Sequence, residues 1–152
     1  MSSIKVPADY KQPTESQLQV LVLRWTTDLC RALERNYKDY SLRSCIRNNA
    51  DELNPYLQER IRKIEMDEEM MKFRIQKGKK YYKIIHQDWR NGEYVDGSVH
   101  AFVDKNTGEV YKPASWKSPA KYVRYDLRLI KDRNNLHDPR FTTWAGGYLY
   151  MR

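Results

Sequence analysis

Cations and stacking rings alternate in one short run: Lys77, Lys79, Lys80, Tyr81 and Lys83, followed by Trp89 and Arg90. Lysine and arginine neutralise phosphates with release of counterions, and an exposed aromatic ring stacks a base for about 1–3 kcal/mol, so this mixture suits single-stranded nucleic acid. A second run repeats the composition with Trp116, Lys117, Lys121, Tyr122, Arg124, Tyr125 and Arg128. Strands bury every second residue, so part of these rings must be core. Tyr82 and Tyr125 are the ones expected inside, and the lysines are expected outside. The same surface would also attract an acidic protein.

Other chemistries find less support. There is no GxGxxG and no GxxxxGK[ST], so nucleotide hydrolysis has no phosphate cradle. His86, His100 and His137 lack any metal-ligand spacing, and His100, within an alternating stretch, reads as a hydrogen-bonded structural residue. Asp96, Asp104 and Glu109 with Lys112 loosely suggest a metal-dependent nuclease. Lys112 follows Glu109 by three, however, and on a strand that spacing points the two to opposite faces. Cys30, near a helical apolar stripe, reads as a buried small hydrophobe, and Cys30 with Cys45 forms neither a metal set nor a disulfide framework. Neither a catalytic activity nor a cofactor or metal is therefore expected.

The charge explains where a partner would bind. Residues 1–69 hold 11 Lys and Arg against 12 Asp and Glu, a net of −1, whereas residues 70–152 hold 17 against 8, a net of +9, so the chain's charge of +8 belongs to the second half. Eight of the twelve tyrosines and three of the four tryptophans fall there too. A mean hydropathy of −0.90 and an apolar run no longer than residues 20–23 predict no membrane span, and residues 1–10 lack a secretory apolar segment. With 152 residues and 12% aromatics the chain can bury a core without disulfides.

Several elements must position those side chains. Residues 1–13, with two prolines and no periodicity, read as an arm before a single domain over 14–152, helical over 14–69 and β-rich over 70–152. Thr14 and Gln17 form a capping box, and Leu18, Leu21, Val22, Trp25, Leu29, Ala32, Leu33 and Tyr37 predict an amphipathic helix over 14–37. A short helical turn is expected around Leu42, Cys45 and Ile46 before the polar break at Asn48 and Asn49. A second helix starts at the Asn54 cap with Pro55 and continues to about Glu69, supported by Glu59 four before Lys63. From Met71 the period becomes two, turning at Lys77 and Gly78 into a return strand over 79–87. Residues 88–97 read as a loop or an extended hairpin end. Residues 98–104 and 109–112 form a tight hairpin in which Asn106 and Gly108 can take positive φ. Pro113 and Pro119 bracket an irregular exposed segment, 121–129 fits a strand or a short helix, 134–144 a loop, and 147–152 a final strand.

The block GSVHAFVDKNTGEVYKPASWKSPAK (97–121), its extension to Leu127 and the ending WAGGYLYMR (144–152) resemble small uncharacterised basic proteins of tailed bacteriophages, notably marine ones. The resemblance covers the basic half and leaves the helical half outside it. It implies phage origin and a place in the cytoplasm of an infected bacterium or in the virion, and it carries no assigned activity. The sequence thus predicts an α+β fold with two N-terminal helices packed on a mainly antiparallel sheet. The expected function is a phage accessory protein that binds nucleic acid through Lys77, Lys79, Lys80, Tyr81, Lys83, Trp89, Arg90, Trp116, Lys117, Lys121, Arg124 and Arg128. The alternative is a protein-interaction module, either a modulator of a host enzyme or a small virion component.

Overall fold

A computed structural model describes residues 11–48 and 55–151. Asn49 and the Asn54 cap lie outside them, as do the first ten residues of the expected arm. The architecture is α+β: helices α1 (Glu15–Asn48) and α2 (Pro55–Glu65), then strands β1 (Lys72–Lys77), β2 (Tyr81–Arg90), β3 (Glu93–Asp104), β4 (Glu109–Tyr111) and β5 (Tyr125–Asp126). Helix α3 (Ile130–Leu136) and a 3₁₀ turn, η1 (Gly147–Tyr150), complete the chain. The five strands form one antiparallel sheet in sequence order.

The capping box forms as the spacing predicts: Thr14 N donates to Gln17 Oε1 at 2.8 Å, and Gln17 N to Thr14 Oγ1 at 3.2 Å. Helix α1 then runs 34 residues, about 50 Å, well past Tyr37. Nothing between Tyr37 and Asn48 breaks it, and Ser41 and Cys45 continue the buried stripe at a spacing of four. The expected separate turn is therefore the far end of the same helix. That end has a different partner. Val22, Leu29, Cys30 and Leu33 pack on the sheet, whereas Cys45 joins Leu57 and Ile64 of α2 in a small second core. Of the two helices that precede the sheet, only α1 lies on it, and α2 packs against α1. Removing the Leu33 side chain, which is fully buried, would cost about 2–5 kcal/mol.

Helix α2 stops at Glu65, earlier than expected, because the chain turns left-handed at Asp67 (φ 56°) while Glu68 N caps the Lys63 carbonyl at 2.8 Å. The expected pairing of Glu59 with Lys63 does not form. Glu59 holds Arg62 at 2.8 Å, and Lys63 reaches Glu69 at 3.1 Å.

On the sheet, Phe73, Ile75, Tyr82, Ile84, Ala101, Val103, Val110 and Tyr125 face α1, which leaves Lys83, Phe102 and Tyr111 on the other side. Tyr82 and Tyr125 are buried, as alternation predicts. Residues 88–97 are the paired ends of β2 and β3, closed at Asn91 and Gly92, both at positive φ, as a primed two-residue turn requires. In the β3–β4 turn only Gly108 of the two candidates takes positive φ (81°). The stretch 121–129 contributes only the two residues of β5, and α3 forms where part of a loop was expected. The expected final strand is instead η1: Gly146 at φ 88° turns the chain, and the adjacent Tyr148 and Leu149 are both buried, which an edge strand would not allow.

Candidate nucleic-acid interface

The turn between β1 and β2 has to hold its lysines in solvent. Gly78 N donates to the Tyr81 carbonyl at 2.9 Å, and Lys105 grips the same turn through its backbone to Lys80 O (3.0 Å) and its Nζ to Gly78 O (3.1 Å). Lys77, Lys79 and Lys80 project from that turn and are exposed. Two residues on, β2 alternation puts Tyr81 and Lys83 on the face away from α1. There Tyr81 meets Phe102 edge-on at 5.8 Å and Tyr111 at 6.0 Å, while Lys80 Nζ lies 5.4 Å from the Tyr81 ring.

The irregular segment between the prolines supplies the other wall. Pro113 and Pro119 pair in an isolated bridge, Ala114 N donates to Ser118 O at 3.0 Å, and the Ser115 and Ser118 hydroxyls sit 3.2 Å apart. This closed loop holds Trp116 over Lys83, 4.9 Å from ring to Nζ, with 42% of the residue still exposed. Lys79, Lys80, Tyr81, Lys83, Phe102 and Lys117 together line a shallow recess of about 230 Å3. Among the described residues, none of Lys77, Lys79, Lys80, Lys83 and Lys117 forms an ion pair with a carboxylate. Asp104, the carboxylate of that neighbourhood, is buried and holds the next turn by accepting Asn106 N at 2.9 Å. The cations' fields therefore add in solvent without being tied up in direct ion pairs.

The remaining expected residues lie elsewhere. Trp89 and Arg90 sit at the opposite end of β2, about 30 Å from Tyr81 along a ten-residue strand. Trp89 packs edge-on against Tyr94 at 5.1 Å, and Arg90 lies 3.7 Å from Asp88. Lys121 is exposed ahead of β5, and Arg124 is half-buried there with a buried Nε that has no partner. Arg128 is held by both oxygens of Asp126, at 3.0 and 2.7 Å, and that hydrogen bonding raises its pKa. The twelve expected residues thus resolve into one cluster around Lys83 and several separate positions.

The groups set aside for other chemistry are occupied structurally. His100 is buried with Nε2 2.7 Å from the Tyr148 hydroxyl, and burial pushes its pKa down to about 3. Burial pushes the Cys30 thiol up to about 12, far from a reactive thiolate. Asp96 accepts Arg74 Nε at 2.8 Å and Gln87 Nε2 at 2.9 Å, which lowers its pKa to about 2. Among the described residues, no three of His, Cys, Asp and Glu converge as metal ligands, and no helix is long and apolar enough to cross a membrane. Sequence reasoning missed the arrangement of His86 with Ser98. The only signal for it was Gly97, whose Cβ would lie 2.2 Å from the His86 ring.

No curated protein and no solved structure matches the chain. A family-level match extends over residues 5–151 and so takes in the helical half as well as the sheet. With all but a few residues of the chain matched, the protein belongs to a family of unknown function, DUF7717.

Proposed function

We propose that the protein binds nucleic acid, single strands in preference to duplex, through Lys79, Lys80, Lys83 and Lys117 with the rings of Tyr81 and Trp116. The observation that carries this reading is the convergence of those cations, free of carboxylate partners, beside an exposed tryptophan on a fixed loop. Lysines supply affinity without sequence preference, and a single exposed ring stacks any base. The role is that of an accessory protein of a tailed bacteriophage with no catalytic activity of its own, acting in the infected bacterium or the virion. The resemblance of residues 97–127 supports that setting.

The test is charge reversal of Lys79, Lys80 and Lys83 to Glu, three side chains the core does not use. Affinity for single-stranded oligonucleotides should fall by about 100-fold at 100 mM salt on all sequences alike, because three phosphate contacts are lost. Undiminished binding in a folded variant would overturn the assignment. The second reading is contact with a protein. On α1 between residues 14 and 37, Val20 is the one large hydrophobic residue that is exposed, so that helix offers no apolar patch. What favours the second reading is Tyr122, Val123, Leu129 and Ile130, all exposed around the edge strand β5.

A further inference from the structure

The pairing of β2 with β3 loses register twice. Ile84 opposes Ala101, Ile85 opposes Val99 and Gln87 opposes Asp96, so three steps along β2 match five along β3. Bulges re-aim side chains, and here they turn His86, Ser98 and His100 toward the place where β4 has left the sheet. The result is a recess of about 340 Å3 lined by His86, Ser98, His100, Trp144, Gly146 and Tyr150, a volume at the lower end for small-molecule sites, about 300–1,000 Å3.

Its walls are rings with fixed hydrogen-bonding edges. Ser98 N donates to His86 Nδ1 at 3.0 Å, so Nδ1 is an acceptor, and the ring proton sits on Nε2, 3.3 Å from Asp88 Oδ2. Only glycine at position 97 lets that ring lie where it does. The Ser98 hydroxyl, 3.0 Å from the same Nδ1, stands beside it at the surface. A cation marks the mouth: Lys112 Nζ lies 4.5 Å from the Tyr150 ring and forms no ion pair among the described residues. The recess also shares Ser98, Val99 and Pro113 with the shallow depression under Trp116, which reaches Lys83. A ligand that fits this sequence of features is flat, has an aromatic face and a polar edge, and carries a phosphate to the mouth.

We propose that this recess is a nucleobase pocket, taking one base of a single strand that runs from the lysine cluster past Trp116, with its phosphate at Lys112. The inference rests on the nucleic-acid reading above and adds to it a second base site.

The experiment uses the full chain and a twelve-residue oligothymidylate carrying one 5-iodouracil, photo-crosslinked at 50 mM salt and mapped by mass spectrometry. Crosslinks are expected at Trp116 and, separately, at His86, Trp144 or Tyr150. Ser98→Trp, which fills the recess, and Tyr150→Ala, which removes an exposed wall, should each cut the second set at least tenfold and leave those at Trp116 in place. Binding with crosslinks confined to 77–83 and 116–117, or recess crosslinks untouched by both variants, would overturn the pocket and leave the lysine site standing. An unaltered protein that binds no oligonucleotide would instead remove the nucleic-acid reading itself, and the pocket with it.

Discussion

The two ends of β2 carry nearly the same residue types and differ in what surrounds them. At the Tyr81 end, Lys79, Lys80, Lys83 and Lys117 line one recess, and among the described residues none of them pairs with a carboxylate. At the Arg90 end, Asp88 accompanies Arg90, Asp96 holds Arg74, and Lys72 lies over the Tyr94 ring at 4.5 Å. The rings differ in the same way. Trp116 is kept outward by a loop closed on itself, whereas the Trp89 ring is taken up by Tyr94. A count of cations and aromatics therefore does not make a binding surface. A field extends furthest into solvent where pairing is absent, and a ring stacks a base most readily where it stands exposed, as Trp116 does.

The comparison sharpens into effects of decreasing size. Trp116→Ala should weaken single-strand binding by about tenfold, within the 1–3 kcal/mol expected for one stacked base, and leave thermal stability unchanged. A fluorescence titration measures the first and calorimetry the second. Loss of stability without loss of binding would make Trp116 a packing residue.

At the other end, Arg74→Ala should return the Asp96 carboxyl from about 2 toward its ordinary value near 3.8, as read by NMR titration. Because the native value is the lower one, the stability drawn from this pair is complete above the ordinary value and is lost as pH falls toward the native one. The variant should therefore be less stable than the unaltered protein at pH above that window, the gap should close as pH falls through it, and oligonucleotide binding should match that of the unaltered protein. The smallest effect belongs to Trp89→Ala with Arg90→Glu, for which binding should change by less than about threefold, since that arginine already has a partner and that ring a neighbour. A loss comparable to that of the lysine triple would erase the distinction between the two ends.

What could be read from the residues alone was local. The Thr14 and Gln17 box, the β3–β4 hairpin and the burial of Tyr82 and Tyr125 follow from spacing and alternation, which need no knowledge of distant partners. Helix α1 outruns the expected 14–37 because its buried stripe passes through Ser41 to Cys45. The helix continues there because Cys45 serves α2, a partner that periodicity on one face cannot show. The ending was misread for a related reason: Tyr148 is fixed by His100 and Tyr125, far away in sequence. For the site, the cation-rich residues were legible and their grouping was not. Ten residues of β2 and a loop thirty residues later decide that Lys83 meets Trp116 while Trp89 does not. The bulged recess had only Gly97 as a trace, and a glycine in a strand marks a close approach without naming what approaches.

The most direct test of the central claim is the salt dependence of binding to a labelled single strand between 50 and 200 mM. The four lysines of the site predict a slope of log affinity on log salt near −2.8, a loss of about 1.7 decades across that range, and the Lys79, Lys80 and Lys83 triple should reduce the slope to about −0.7. A flat slope, or one that the triple leaves unchanged, would contradict the claim that this end of β2 is the binding face.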